Sequence, residues 1–346
     1  MTATLTTTSD IAASGTLLSV RDLAVHFRVK RGHWPWQQAT LRAVDGVSFD
    51  VRRGETLGLV GESGCGKSTL ARAVIGLTPV AGGSVTWRGE ETVHGARRRL
   101  GALRREAQMI FQDPLASLDP RMSIAQIVAE PLVTHAPQLG RQEIARRVLT
   151  MLERVGLNAH HAARRAHEFS GGQCQRVGIA RALIGEPGLV ICDEPVSALD
   201  VSIQAQIVNL LRDLQRELAL SLLFVAHDLA VVKTISHRVM VMYLGRVMEL
   251  GERDALYHAA RHPYTQALLD AVPLPDPALA RAREVPLLSG DIPSPLNPPS
   301  GCAFRTRCSR ALAVCATQTP ALHAHGSPHS IAACWHPRTG GDPPAA

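Results

Sequence analysis

Three short runs along the chain are apolar throughout and then stop abruptly at polar or charged residues: TLGLV (56–60), the LVIC of GLVICDEP (188–195), and SLLFV in SLLFVAHD (221–228). Runs of this length without polar alternation fit strands buried on both faces of a parallel sheet, ending at its carboxyl edge. RVMVMYLGRVMELG (238–251) reads as two more strands joined at Leu244-Gly245. After the first run, STLARAVIGL keeps apolar residues at helical spacing, which gives strand, loop, helix. Between about 113 and 185 the period becomes helical, as in RQEIARRVLTMLERVGL, and predicts an inserted helical subdomain. From about residue 273 prolines and glycines multiply (VPLPDP, GDIPSPLNPPSG), marking a linker into a small cysteine-bearing tail. The expected fold class is α/β.

Composition narrows the function classes. Of 346 residues, 45% are hydrophobic and 19% charged, with few aromatics, the balance of a globular protein with a sizeable core. The opening MTATLTTTSDIAASG lacks a basic head and an apolar stretch, so it does not read as a signal peptide. Nothing later reaches the eighteen or so apolar residues of a membrane span, and a cytosolic chain is expected. The net charge of +7, with Arg97-Arg98-Arg99, Arg104-Arg105 and Arg146-Arg147, raises the question of nucleic acid. No readout motif accompanies these clusters, and nucleic acid is not the expected partner. Solvated helix faces, or attraction to an anionic membrane surface and a partner lying on it, suit them better.

The chemistry begins at Gly61-Glu62-Ser63-Gly64-Cys65-Gly66-Lys67-Ser68, followed by Thr69, which matches GxxxxGK[ST] in a strand-to-helix setting. Glycines let backbone N–H groups close around phosphate oxygens, and the helix N-terminus adds a favourable dipole. Lys67 would reach the β and γ phosphates of a nucleoside triphosphate, and the Ser68 hydroxyl would ligate Mg²⁺. Asp193 and Glu194 end the LVIC strand. Asp193 suits the Mg²⁺ shell, directly or through water, and Glu194 suits activation of the attacking water; a plain helix-capping pair before Pro195 is the alternative. His227 ends another strand, where it is either a structural histidine or a contact to the γ-phosphate that holds the water and Glu194. Cys65, at a helix N-terminus, either has a lowered pKa or is simply a small residue.

A second glycine-rich loop, FSGGQ (169–173), lies about a hundred residues after the first. Together with residues 61–68, Gln112 in MIFQDP, Asp193-Glu194, SALD (197–200) and His227, it resembles the ATP-binding cassette ATPases from about residue 16 to 338. The resemblance implies a P-loop NTPase: a RecA-like core with an antiparallel β subdomain and an inserted α-helical subdomain, plus a small cysteine-containing C-terminal region. It implies a disordered stretch at 1–15, a nucleotide-binding domain at 16–255 with its helical subdomain at about 113–185, a C-terminal region at 256–338 and a tail at 339–346. In that family two domains pack head to tail, so Ser170, Gly171, Gly172 and Gln173 would contact ATP held by a partner. Asp200 would lie at the dimer interface, and Gln112 would sense the γ-phosphate, join Ser68 and Asp193 around Mg²⁺, and adjoin the groove for a membrane subunit. Phe27 in VHFRVKRG is the residue expected to stack on adenine, with Trp34 and Trp36 as alternatives.

Several stretches narrow the resemblance further: the insertion KRGHWPWQQATLRAVDGVSF, IFQDPLASLDPRM, DEPVSALDVSIQAQI, HPYTQALLDAVP and the cysteine tail. They are similar to ATPase subunits of bacterial dipeptide/oligopeptide importers, a group that includes nickel and glutathione transporters, and within it to the F-type member of a D/F pair. This implies a D-type ATPase partner, two transmembrane permeases and an extracytoplasmic solute-binding protein. The chain would then lie peripherally on the cytoplasmic face of the inner membrane. The tail reads Cys302-x5-Cys308-x6-Cys315-x18-Cys334, without the CxxC pairs usual for zinc. Resemblance implies a [4Fe-4S] cluster on these four in some members; a packed cap, or zinc aided by His323, His325, His329 and His336, stays open. Against the importer stand a soluble ATPase acting on nucleic acid or ribosomes, and a regulatory module that holds ATP without turnover. The first lacks its usual second cassette or coiled-coil insertion here, and the second is opposed by Glu194 and His227.

Overall fold

The computed structural model describes residues 15–30, 38–92, 97–272, 290–324 and 330–337. The chain forms two compact units. The first takes Met1–Ser19, Asp50–Thr56 and Val85–Val225; the second takes Val20–Phe49, Leu57–Ser84 and Ala226–Ala346. Trp34 and Trp36, together with His325 and His329, lie outside the described residues, as do the stretches expected to form the N-terminus, most of the Pro/Gly linker and the tail.

In the first unit, β6 (Ala107–Ile110), β7 (Leu189–Asp193) and β8 (Ser221–Val225) pair in parallel, in the order β8-β7-β6. Leu189, Val190, Ile191 and Cys192 are fully buried, as are Leu223, Phe224 and Val225. This is why these strands read as unbroken apolar runs: both faces are covered, and each aliphatic side chain removed from water contributes roughly 1.5–3 kcal/mol. Strand β4 (Gly82–Trp87) turns into β5 (Glu90–Glu91), and Trp87 and Arg88 both engage Glu106 at the end of helix α2 (Arg97–Glu106).

Three α-helices, with two short 3-10 turns (Ala159–Ala163 and Ala166–Glu168), make up the stretch read as helical. Helix α3 (Ile124–His135) starts on a capping box in which Ser123 Oγ accepts the Gln126 N–H and the Gln126 side chain accepts the Ser123 N–H. Helix α4 (Arg141–Arg154) buries Val148, Met151 and Leu152 at i, i+3, i+4 and leaves its arginines outward, where Arg146 and Arg147 pair with Glu143. Helix α5 (Gly171–Leu183) opens on a second capping box, Ser170 with Gln173. Helix α6 (Val201–Glu217) follows β7.

In the second unit, β3 (Thr56–Val60) pairs in parallel with β9 (Arg238–Tyr243), which forms an antiparallel hairpin with β10 (Arg246–Glu252) around Leu244-Gly245. Two short strands of the C-terminal region, β11 (His323–Ala324) and β12 (Ile331–Ala332), extend that sheet beyond β10. Helix α1 (Lys67–Val74) follows β3; α7 (Leu229–Ile235), α8 (Arg253–His258) and α9 (Pro263–Asp270) lie between and after the later strands, and α10 (Ala313–Thr317) is in the tail. A separate antiparallel sheet has the order β2-β1-β4-β5, where β1 is Thr16–Lys30 and β2 is Gln38–Arg52. Among the described residues no helix is long and apolar enough to cross a membrane.

Candidate functional site

Residues 61–68 leave the buried strand β3 and enter α1 through a loop whose two outer glycines are enforced by backbone neighbours. A Cβ on Gly61 (φ +152°) would lie 2.2 Å from the Met242 carbonyl oxygen, and one on Gly66 (φ +105°) 2.1 Å from that of Ala43. Only glycine fits either place. The loop is pinned further by the Gly245 N–H, which donates to the Cys65 carbonyl at 2.9 Å. Ser63 and Gly64 stay exposed at its crest, with Ser68 and Thr69 half-buried in the first turn of α1.

Lys67 is 4% exposed, and its Nζ donates to the carbonyl oxygens of Gly61 (2.8 Å) and Glu62 (3.1 Å). A buried ammonium with three donors is thus held over the loop by two carbonyls. Of the two readings of Cys65, the small-residue one agrees with its surroundings: burial pushes its thiol pKa up, against the pull of Lys67.

Glu62 is committed elsewhere. Its carboxylate takes both Nη groups of Arg307 at 2.7 and 3.0 Å, and its N–H donates to the Tyr264 hydroxyl at 2.9 Å. Neither partner stands out in the sequence, because both reach the loop from some 200 residues away. Phe27, on β1, is 37% exposed, an aromatic face open enough to stack against a planar ring. His227 is exposed just before α7, whose first turn is capped by Asp228 accepting the Ala230 N–H.

The first unit carries the carboxylates. Asp193 is fully buried at the end of β7. Glu194 follows with φ +47°, a left-handed conformation that turns the chain sharply off the strand, and its N–H donates to the Val225 carbonyl at 3.0 Å. Gln112, two residues past the neighbouring strand β6, donates from Nε2 to Glu194 Oε2 at 3.0 Å. Two residues 82 apart in sequence, singled out for separate roles, are thus hydrogen-bonded neighbours.

The second glycine loop lies in the same unit. Ser170 is exposed at the N-cap of α5, its Oγ accepting the Gln173 N–H at 3.3 Å while the hydroxyl proton stays available to an acceptor. Gly172 meets Ile203 of α6, and a Cβ there would come within 2.7 Å of it. Asp200 is exposed at the N-cap of α6 and makes no side-chain capping bond.

In the C-terminal region Cys302, Cys308, Cys315 and Cys334 line one small cavity with His336. Burial raises the thiol pKa of Cys302 and Cys308, and pushes that of Cys334 up to about 11. Among the described residues no group of three or more His, Cys, Asp or Glu is set to hold a metal ion. His323 is exposed on β11. Four thiols facing one cavity are the donor set a [4Fe-4S] cluster takes, but as placed they do not converge on a common metal position.

The family model described as ABC transporter matches residues 44–197, and that described as oligopeptide/dipeptide transporter, C-terminal region, matches 248–315. The oligopeptide transport ATP-binding protein OppF of Escherichia coli (strain K12) is 60% identical over 308 residues, covering 88% of this chain and 92% of that protein. OppF of Haemophilus influenzae is 55% identical over 318 residues, covering 91% and 96%. Among solved structures, cbiO1 from Clostridium perfringens, part of the ABC transporter complex cbiONQ, has a TM-score of 0.60 at 29% identity, over 70% of this chain and 91% of that one. A dimeric post-hydrolysis ATP-binding cassette bound to ADP and Pi gives 0.61 at 26% identity, over 68% of this chain and 99% of that one.

Proposed function

The chain belongs to the ABC transporter family, in the branch that carries the oligopeptide/dipeptide C-terminal region, and on that premise we propose that it hydrolyses ATP to power the import of dipeptides and oligopeptides across the bacterial inner membrane. The observation that carries the reading is the phosphate loop: a buried lysine over a backbone cradle that two glycines alone can form. A soluble ATPase acting on nucleic acid or ribosomes is not favoured, since the relatives at 55–60% identity are named as oligopeptide transport proteins.

In this reading residues 16–255 form the nucleotide-binding domain, with its helical subdomain at about 113–185, and 256–338 the C-terminal region. The loop from Gly61 to Thr69 binds the triphosphate of ATP, its N–H groups and Lys67 exchanging internal carbonyl partners for phosphate oxygens. Phe27 stacks on the adenine. Ser68, Gln112 and Asp193 supply the hydroxyl, amide and carboxylate oxygens that suit Mg²⁺, a hard cation that would neutralise charge on the phosphates when bound. Glu194 takes the proton of the attacking water, Gln112 holds the Glu194 carboxylate by its hydrogen bond, and His227 contacts the γ-phosphate.

Ser170 to Gln173 serve the ATP of a second ATPase subunit. Ser170 donates its hydroxyl, and the α5 N-terminus offers free N–H groups to an anion. Asp200 sits at the interface between the two. The partner is a D-type ATPase, and two permease subunits with an extracytoplasmic binding protein complete the complex, so the chain works as a peripheral subunit on the cytoplasmic face of the inner membrane. A [4Fe-4S] cluster has no step in this scheme.

Affinity purification of the chain from its native membrane, with mass spectrometry and an ATPase assay of the co-purified material, tests the proposal. A second cassette ATPase with two multi-spanning proteins, and ATP-dependent uptake of labelled peptide by vesicles holding that complex, is the expected result. Recovery with ribosomes or nucleic acid, and no membrane protein, overturns it.

A further inference from the structure

The residues that secure Glu62 come from the C-terminal region, and their geometry is too specific for simple packing. Arg307 is 7% exposed at its side chain and meets the carboxylate fork to fork, the strongest arrangement available to that pair. Its guanidinium also lies 5.9 Å from the centre of the Tyr243 ring. Tyr243, Tyr264 and Phe304 form a buried aromatic cluster with ring centres 4.8–5.4 Å apart.

Tyr264 is aimed by a chain of caps. Glu249 is 1% exposed and accepts the N–H groups of Arg261 and His262 at 2.7 and 3.0 Å. His262 Nδ1 in turn accepts the Tyr264 N–H at 3.0 Å as helix α9 begins at Pro263. The HPY stretch is thus built to present one phenol oxygen to the Glu62 peptide.

The electrostatics explain why this is worth building. A carboxylate in a loop meant for a triphosphate is a like charge in the wrong place, and a partly buried one repels more strongly than one in open water. Paired with Arg307 it presents no net charge.

We infer that Arg307 and Tyr264 are positioning residues for the phosphate loop: Tyr264 fixes the Glu62 peptide and Arg307 cancels the Glu62 carboxylate, so that triphosphate affinity is set in part from the C-terminal region. The inference rests on the reading of residues 61–69 as the ATP loop, and the closing experiment separates the two.

Labelled-ATP binding is measured on the full chain in its membrane complex, with thermal melting alongside. Arg307→Met weakens ATP binding about tenfold or more, because the carboxylate is left unpaired. The double variant Arg307→Met with Glu62→Gln returns to within about threefold of wild type, since no lone charge remains. Arg307→Lys, which keeps the charge without the fork, is intermediate and covers the case in which the methionine variant does not fold. A purely structural role would leave the double variant as weak as Arg307→Met. That result, or wild-type binding by Arg307→Met or Arg307→Lys, overturns the inference while Lys67→Ala still abolishes binding. If Lys67→Ala binds ATP like wild type, the reading of the loop itself fails.

Discussion

Replacing Glu194 by glutamine separates binding from chemistry. The substitution is isosteric, so the left-handed backbone at φ +47° sees no new steric demand. The bond from Gln112 Nε2, 3.0 Å long, is kept if the new amide presents its oxygen. What changes is the capacity to take a proton. Loss of charge assistance in that bond costs about 1 kcal/mol of stability, a shift of a few degrees in melting temperature at most. Loss of a general base costs about a hundredfold to ten-thousandfold in rate, or about 2.7 to 5.5 kcal/mol on the barrier. The two effects are therefore well separated. Phosphate release by the reconstituted complex should fall at least a hundredfold while labelled-ATP binding holds or tightens, because a negative charge has been removed. Turnover within tenfold of wild type, with ATP bound normally, would show that Glu194 is not the base and that its contact with Gln112 is structural.

Gly66→Ala should abolish ATP binding and destabilise the chain by at least about 2 kcal/mol, because φ +105° disfavours a side chain and the Cβ meets the Ala43 carbonyl; nucleotide binding and thermal melting check both. Ser170→Ala should cost about 1 kcal/mol as a lost cap and lower hydrolysis at the partner's site while this chain's own ATP binding persists, which labelled nucleotide on each subunit would resolve. Burial holds His262 neutral, its pKa lowered from 6.5 to about 3, so the stability it contributes is present above pH 6.5 and is lost as pH falls toward 3. The melting temperature should therefore drop more steeply on acidification in wild type than in His262→Asn, which caps α9 without titrating; Glu249 beside it has a raised pKa and works in the opposite sense in both proteins.

What the sequence revealed depended on how far apart the cooperating residues lie. The strand-loop-helix at residues 56–74 was legible because glycines, lysine and serine sit within eight positions, and a strand and a helix flank them in the same local run. Strands β3, β7 and β8 were legible because burial on both faces leaves no polar position to confuse the pattern. The hydrogen bond from Gln112 to Glu194 was not, since each residue reads locally as a loop polar group and only the pairing of β6 with β7 brings them together. Arg307 was hidden more deeply. It sits among prolines and cysteines that signal a tail, and nothing in the run around Glu62 announces a partner 245 residues away. Cys65 could be read two ways from the sequence, as an activated thiol or as a small residue, and burial, which outweighs the pull of Lys67, favours the second.

The internal bonds of the loop also bear on how nucleotide enters. Lys67 Nζ satisfies itself on the carbonyls of Gly61 and Glu62, the first packed against the Met242 carbonyl and the second held at its N–H by Tyr264. These bonds constrain the loop's shape and so reduce the ordering entropy that opposes binding. The cost of that preorganisation is borne by residues far along the chain, from Ala43 to Arg307. A cassette that must empty and refill on every cycle gains from a rigid cradle, because affinity can then be set by the exchange of carbonyl for phosphate at one lysine instead of by refolding the loop. Loosening the outer supports should accordingly weaken nucleotide binding before it affects the chemical step, which places Arg307 and Tyr264 variants in KM and Glu194 variants in kcat.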